Sequence, residues 1–269
     1  MKATAKYLAL GLGAIVFAYP FLWMITSSLK PEADIGGFGL WSTHFTLSNY
    51  AQVFERIPLG RAFLNSIIVS LSSTVSVIVF GSMVGYALAR LQFKGRGALY
   101  AVVVFTMTLP FQITLIPQYI LMVKLGITDT YLALVAPTLM TAFSIILFRQ
   151  FFIYIPQALI DAARIDGCSE LRILFRVIWP LSRPVVITVS LLTFMSSWNE
   201  VLWPLIVVRN RSLMTMPQLV TLFTIGGEAE SLLGLQLAAA TLLALPIIIA
   251  YSFFQRYFIE SMASAGIKG

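Results

Sequence analysis

The sequence predicts an all-α, polytopic membrane protein with six transmembrane helices. Hydrophobic residues make up 59% of the chain and charged residues only 11%, a composition that excludes an ordinary soluble domain. The charged residues also leave long apolar windows, and a helix needs about 20 such residues to cross a bilayer. The windows are residues 7–29, 62–89, 97–123, 130–148, 184–208 (interrupted only by Glu200) and 231–255.

The positions of lysine and arginine predict the orientation of these spans. With the N-terminus in the cytoplasm, twelve of the 18 basic residues flank the spans on the inner side and six on the outer side. An excess of basic residues on the inner side is the usual pattern. We therefore expect a multi-pass membrane protein with both termini in the cytoplasm. The net charge of +7 reflects this topology and not nucleic-acid binding.

The first window is expected to stay in the protein as a span. It is longer than the apolar part of a secretory signal, and Pro20 and Trp23 lie where cleavage requires small residues. The single cysteine excludes an internal disulfide and a cysteine-rich metal site. The single histidine, His44, falls in a predicted outer loop, residues 30–61, in which we expect a short helix near 48–56. No metal site is predicted.

The second window combines many hydroxyl side chains with Gly81 and Gly85, four residues apart. Small residues at this spacing let helix backbones approach closely where lipid supplies no hydrophobic driving force. Packing inside the bundle is therefore the favoured interpretation of this surface, ahead of contact with a substrate.

The third and fifth windows contain polar interruptions. In "TLPFQITLIPQYI", Pro110 and Pro117 each remove a backbone donor and bend or break a helix. Such a helix can border a wet pathway or carry a packing kink. In "SSWNEVLWPL", Glu200 lies about 16 residues into its window, or roughly 24 Å along a helix, near the outer edge of the bilayer core. A pathway role and a structural hydrogen bond both remain open for this carboxylate.

A polar segment, residues 156–180, separates windows four and five. Pro156 suits the first turn of a helix, and Gly167 suits the left-handed residue that ends one. Between them Leu159, Ala162 and Ala163 fall at i, i+3 and i+4, which predicts a small apolar face. Two alanines there make a shallow knob that fits a groove on another protein better than it holds a lipid surface.

A second helix is predicted directly after Gly167. Ser169 can cap it, and Glu170 is favourable in its first turn. Pro180 is expected to end it. Its predicted apolar stripe consists of Leu171, Leu174, Phe175 and Ile178.

The stretch "DAARIDGCSELRILFRVIWPL" resembles the cytoplasmic coupling motif of ABC importer permeases, an acidic-Ala-Ala group followed by Gly and a hydrophobic-Pro ending. The stretches "SSWNEVLWPLIV", "LPFQITLIPQYILMVKLGITDT" and "FFQRYFIESMASAGIKG" look like the carbohydrate-uptake branch, and specifically its maltose-type second permease subunit. The resemblance covers about residues 10–269 and implies a location in the inner (plasma) membrane of a prokaryote. It implies the type I importer permease fold, a single transmembrane domain over 1–269 with a core at about 62–258 and a coupling segment at 157–180.

The resemblance further implies a set of partners and site residues. The partners are a second homologous permease subunit, two cytosolic ATPase subunits that bind ATP and Mg, an extracytoplasmic solute-binding protein and the lipid bilayer. The chain itself is then expected to be no enzyme and to hold no cofactor, and its lack of any Gly-Lys pair excludes a P-loop. The implied ATPase-coupling residues are Asp161, Ala162, Ala163, Asp166, Gly167 and Pro180.

Other parts of the chain are assigned roles on the same basis. The outer loop at about 209–230 would face the binding protein, and the C-terminal tail would touch the ATPases. Amides and aromatic faces suit a sugar, and the expected substrate pathway contains Gln112, Ser196, Trp198, Asn199 and Glu200. An oligosaccharide, a monosaccharide, a polyol and a glycerol-phosphate ester are all open as solutes. An ATP-independent carrier and a non-transporting scaffold are the rival classes.

Overall fold

A computed structural model confirms the all-α prediction. It describes residues 2–227, 229 and 232–266, with side chains at 4–227, 229, 232–249, 251 and 252, and these residues form helices and loops without strands. The helices are α1 Lys2–Ser28, α2 Ser48–Arg56, α3 Leu59–Arg90, α4 Arg96–Thr108, α5 Phe111–Lys124, α6 Tyr131–Val135, α7 Ala142–Ile153, α8 Gln157–Ile165, α9 Glu170–Ile173, α10 Trp179–Leu181, α11 Arg183–Trp198, α12 Leu202–Val207, α13 Met216–Ile225 and α14 Leu233–Gly266.

Two of these helices are long and apolar enough to cross a membrane unbroken, the segment Thr4–Ser28 of α1 and the whole of α3. Three further helix pairs qualify only if each bent pair counts as one span. They bend by 103° between α4 and α5, by 47° between residues 138 and 142, and by 90° between residues 181 and 183. In α14, residues 233–249 form a shorter apolar stretch. The number of six spans stays a prediction.

The break in predicted span three lies at Pro110, where we expected a bend or break. The residue before a proline is disfavoured in the helical region. Leu109 is accordingly extended, with φ −80° and ψ 117°, and Pro110 is the residue that precedes α5. Pro117 lies inside α5, which continues through it. Only the first of the two prolines therefore interrupts the backbone.

The chain divides into two compact units, residues 1–63 with 215–250 and residues 64–214 with 251–269. In the first unit, the predicted helix near 48–56 is confirmed as α2. Its Asn49 side chain donates to the carbonyls of Ser28 and Lys30, both at 2.9 Å. The Glu32 carboxylate accepts the amides of Leu233 and Gly234 at 2.7 and 2.8 Å, and these amides begin α14. Polar loop residues thus join the ends of α1 and α14.

The second unit carries the predicted coupling segment and is built around α3. One buried cluster joins α3, α7, α8 and α11 with the chain at 173–178, through residues that include Val77, Phe148, Phe152 and Ile160. A second cluster joins α5, α6 and α12 through Met122, Ala133, Trp203 and Val207. The glycines of α3 lie against α7, because a β-carbon on either would meet atoms of Ser144 or Phe148. The packing role predicted for Gly81 and Gly85 is confirmed.

Asp129 ties the loop before α6 to the loop after α12. Its carboxylate accepts the backbone amides of Arg209 at 2.6 Å and Asn210 at 2.8 Å. Its backbone has a φ of +56°, a conformation that aspartate and asparagine tolerate better than most residues. The amide of Asn210, and then that of Arg209, lower the pKa of the Asp129 carboxyl because they hydrogen-bond to its charged form.

This loop tie is expected to depend on pH. Because the pKa of Asp129 is lower in the folded than in the unfolded chain, its contribution is complete above an unfolded pKa of about 4 and is lost as the pH falls through the lowered value. Asp129→Asn, which tolerates the same φ, should lower the protection factors of the Arg209 and Asn210 amides against hydrogen exchange at neutral pH, and these factors should no longer fall in acid. Glu55→Gln on exposed α2 is the control. If wild type and Asp129→Asn have equal protection factors at neutral pH, the assignment is contradicted.

Candidate functional site

The segment between windows four and five folds as a helix, a turn and a second helix, as predicted. Pro156 lies one residue before α8, and Gly167 ends that helix with a φ of +74°. The Ser169 hydroxyl accepts the amide of Arg172 and caps α9. A residue with a β-carbon would be strained at position 167, so glycine is required for the turn. Local capping rules therefore account for the shape of the segment.

The buried face of α8 differs from the predicted one. Ile160 is 0% and Ala163 9% exposed, and both lie in the cluster with Phe148 and Phe152. Leu159 is 43% exposed. Since residues 160 and 163 share a face at i, i+3, Ile160 and not Leu159 accompanies Ala163 into the core. Four further residues of the predicted coupling set lie in or directly after this helix and are exposed: Asp161, Ala162, Asp166 and Gly167.

The second helix departs from prediction at its end, where it continues one residue past Pro180. A π turn occupies Leu174–Ile178, and helix α10 carries Pro180 through to Leu181 before the chain bends at Ser182. The wider π turn gives the proline ring room beside the preceding carbonyls, so Pro180 does not end the helix. Most of the predicted stripe is confirmed: Leu174 and Ile178 are buried, and Phe175 packs against the same cluster. Ile173 joins them there, whereas Leu171 is exposed.

Charged and polar side chains link α8 to the elements on either side of it. The Glu170 carboxylate accepts the Tyr86 hydroxyl at 2.5 Å and Arg164 Nε at 2.8 Å. Arg164 also lies 3.4 Å from the Asp161 carboxylate, which accepts the Gln157 amide at 2.9 Å. The hydrogen bond to Glu170 raises the pKa of the Arg164 guanidinium, so this pair stays ionised.

Arg90, the last residue of α3, binds the end of α7 and the first residue of α8. Its guanidinium donates to the carbonyls of Phe152 and Ile153, both at 2.9 Å, and to that of Ile155. A further nitrogen donates to Gln157 Oε1 at 3.2 Å. Next to this contact lies an open groove of about 950 Å³ between residues 90–93 and the Gln157, Asp161 and Arg164 side of α8.

Four of the five predicted pathway residues lie together, where α11 ends and α12 begins. Ser196 and Asn199 are exposed, and the Asn199 amide donates to the Met195 carbonyl at 2.8 Å. Trp198 is 1% exposed and stacks on Phe194 at 5.8 Å between ring centroids. Gln112 is separate from them in sequence and lies exposed on the first turn of α5.

Glu200 has a structural contact. Its Oε1 atom accepts the amide of Trp203 at 3.1 Å, one of the amides at the start of α12 that no helical carbonyl can satisfy. Of the two interpretations left open by the sequence, this contact supports the structural hydrogen bond. It also explains why predicted span five is interrupted at residues 199–201.

Sequence reasoning missed the functional candidates Tyr86, Arg90 and Arg164, and it read Glu170 only as a favourable first-turn residue. The spacing of Tyr86 and Arg90, four apart on one face of α3, was the available signal. Their partners lie more than 60 residues away in the chain, which no local pattern indicates. Two predicted contacts fall partly or wholly outside the described side chains. The tail predicted to touch the ATPases comprises residues 253–269, and the outer loop predicted to face the binding protein includes Glu228 and Glu230. The described part of that loop includes helix α13.

An all-helical chain with long apolar helices, several of them broken, and a polar helix-turn-helix attached to their ends is the architecture of a membrane transport protein. The sequence matches the family described as "Binding-protein-dependent transport system inner membrane component" over residues 77–264. The chain belongs to this family and is a permease component of an ABC importer.

Individual relatives extend the match over nearly the whole chain. The arabinooligosaccharides transport system permease protein AraQ of Halalkalibacterium halodurans is 36% identical over 95% of this chain and 93% of its own. The melibiose/raffinose/stachyose import permease protein MelC of Bacillus subtilis is 29% identical over 93% and 91%. Among solved structures, a chain of a bacterial ABC transporter that imports the acidic polysaccharide alginate has a TM-score of 0.84, with 26% identity over 95% of this chain and 96% of that one.

Proposed function

We propose that this chain forms half of the translocation pathway of an ATP-driven importer whose solute is a sugar or oligosaccharide delivered by an external binding protein. The family match over residues 77–264, which contains the whole polar segment, carries this proposal. The roles of the relatives, in arabinooligosaccharide, melibiose/raffinose/stachyose and alginate transport, support a saccharide as the solute.

A second, homologous permease subunit supplies the other half of the pathway. The side of α3 that carries Leu71, Val75 and Phe80 supports this, because these large apolar side chains are exposed and border a cavity of about 560 Å³. Ser72 and Ser76 line the same cavity and add small polar groups to this face. In this assembly the chain contributes six spans, and both of its termini lie in the cytoplasm.

Two cytosolic ATPase subunits bind ATP and Mg and dock against the exposed side of α8. Asp161 and Ala162 lie on that side, and the groove of about 950 Å³ beside it offers space for a segment of the ATPase. Closure of the ATPases then favours one of two packings of the spans. It does so only to the extent that the ATPases bind the two packings with different affinity.

The polar groups at the end of α11 are proposed to contact the solute. Ser196 and Asn199 are exposed beside a break in the helix, and irregular backbone at membrane depth is tolerated where it lines a wet cavity. Gln112, at the start of α5 and directly after the break at Pro110, is a further candidate. Trp198 and Glu200 act on this site by packing and by capping α12.

The proposal is tested by solute uptake into proteoliposomes. We expect uptake of a labelled oligosaccharide only when both permeases, the ATPases, the binding protein and ATP are present. Labelled polyol and glycerol-phosphate ester serve as comparison solutes, and uptake of either one in preference to every saccharide would contradict the proposed solute class. Equal uptake without the ATPases would show an ATP-independent carrier and overturn the whole assignment.

A further inference from the structure

We propose that α3 grips the coupling helix α8 at both of its ends and so receives the movement of the ATPases directly. This inference rests on the proposed function. Along the chain, α8 is connected only to α7 and α9. The link to α3 is made by tertiary contacts: packing in the buried cluster, and hydrogen bonds from Tyr86 and Arg90. We call these two residues the α3 clamp.

The two clamp residues are four apart on a helix and therefore lie on the same face, one turn from each other. Arg90 binds the beginning of α8. Its guanidinium reaches Gln157, the first residue of that helix, and three carbonyls at 152, 153 and 155. The carbonyls at the end of a helix lack helical donors and carry partial negative charge, so a cation is a favourable partner for the end of α7.

Tyr86 reaches the far end of α8 through Glu170, the first residue of α9. Its hydroxyl donates to Glu170 Oε2 at 2.5 Å, and Glu170 Oε1 accepts Arg164 of the last turn of α8 at 2.8 Å. Tyr86 is only 3% exposed, and a buried hydroxyl without a partner is costly. Charge-assisted hydrogen bonds such as the one to Glu170 are among the stronger ones. The far end is thus held by a relay of two bonds through one carboxylate.

Between its two ends, α8 packs against the same region of the protein. Ile160 and Ala163 belong to the buried cluster that also contains Tyr86 and Val77 of α3. Close-packed interiors transmit displacement because they leave little free volume. A shift of α8 therefore requires α3 to follow, or else the clamp and this packing must break. Asp161 and Ala162 stay exposed, so the grip leaves the docking side available to the partner.

The α3 clamp adds a route by which movement of α8 reaches the membrane spans. Through the chain itself, movement of α8 reaches predicted spans four and five. The α3 clamp adds span two, whose exposed Leu71, Val75 and Phe80 face is the proposed contact with the other permease. Tyr86 and Arg90 are on this account positioning residues, since they touch neither the solute nor the nucleotide.

The test uses the complete reconstituted importer and measures solute transported per ATP hydrolysed. Tyr86→Phe removes only the link to Glu170, and Glu170→Gln weakens both bonds of the relay. We expect each change to lower solute per ATP about tenfold, because a hydrogen bond to a charged group typically contributes at least this factor to an equilibrium. ATPase subunits should still co-purify in wild-type amounts. The loss in the double variant should be smaller than the product of the two single losses, since both changes act on the same link.

The other end of α8 is tested by Arg90→Lys, which keeps the charge but cannot donate to four acceptors at once. It should lower solute per ATP in the same way. Tyr7→Phe, on the exposed part of α1, is the matched control and should leave the ratio unchanged. A merely structural role would lower uptake and hydrolysis together at a constant ratio, and this result would overturn the inference. If instead the wild-type importer needs no ATPase, it is the proposed function that fails.

Discussion

Replacement of Gly85 by alanine should destabilise the permease, and replacement by leucine should remove the folded protein altogether. A β-carbon at this position would lie 2.7 Å from Phe148 Cβ, 3.1 Å from the amide nitrogen of Arg149 and 3.1 Å from the carbonyl oxygen of Ile145. Two of these atoms are backbone and cannot rotate away. Overpacking of this kind typically costs about 1–3 kcal/mol, and more when helices must separate.

Two other glycines make the effect measurable as a series. At Gly81 the nearest atom is the Ser144 hydroxyl at 2.7 Å, the end of a side chain that can rotate if it gives up its bond to the Thr141 carbonyl. At Gly97, in exposed α4, nothing lies within 4 Å. Alanine there should be neutral or stabilising, because glycine in a helix costs about 0.5–1 kcal/mol relative to alanine.

Thermal unfolding in detergent should therefore rank the alanine variants with Gly85→Ala the least stable, Gly81→Ala intermediate and Gly97→Ala equal to wild type or better. For Gly85→Leu, size-exclusion chromatography should show loss of the monodisperse peak. A Gly85→Ala protein as stable as Gly97→Ala would mean that α3 and α7 do not approach each other at this point.

The parts of the fold that follow from local chemistry were predictable. The apolar window 62–89 lies within α3, and the capping signals at Gly167 and Ser169 fixed the turn after α8. The break at Pro110 follows from the steric restriction on the residue before a proline. In each case the determining residues are neighbours in the sequence.

The remaining features depend on residues that meet only in the folded chain. Leu159 and Ile160 are both apolar, and only packing against α3 and α7 decides which of them is buried. No residue type specifies the π turn at Leu174–Ile178. The role of Glu170 depends on Tyr86, which lies 84 positions earlier in the chain. Trp198 looked suited to a sugar, but its ring packs on Phe194, one helical turn away in the same helix.

The two neighbouring alanines of the coupling motif differ in their exposure to solvent. Ala162 is exposed, and Ala163 is buried beside Ile160. Ala162→Arg should therefore leave the permease pair folded and inserted, but block the close approach of the ATPases. Uptake should fall to background, and the ATPases should no longer co-purify.

Ala163→Arg is expected to act on the permease itself. Burial of a guanidinium without a partner costs several kcal/mol, so the helix must leave the core or the protein must unfold. Thermal unfolding of the permease pair without ATPases distinguishes the two variants: Ala162→Arg should melt like wild type, and Ala163→Arg well below it. Ala162→Ser keeps a small side chain at the docking face and should transport normally.

The comparison decides between two functions of this helix. If α8 only packs against its own protein, the buried position matters and the exposed one does not, so that Ala162→Arg would show normal uptake. If α8 also docks the ATPases, both substitutions abolish uptake, but only Ala163→Arg lowers stability. Normal melting of the Ala162→Arg permease pair shows that it is folded. Its combination with lost ATPase binding identifies the exposed side of α8 as the docking surface.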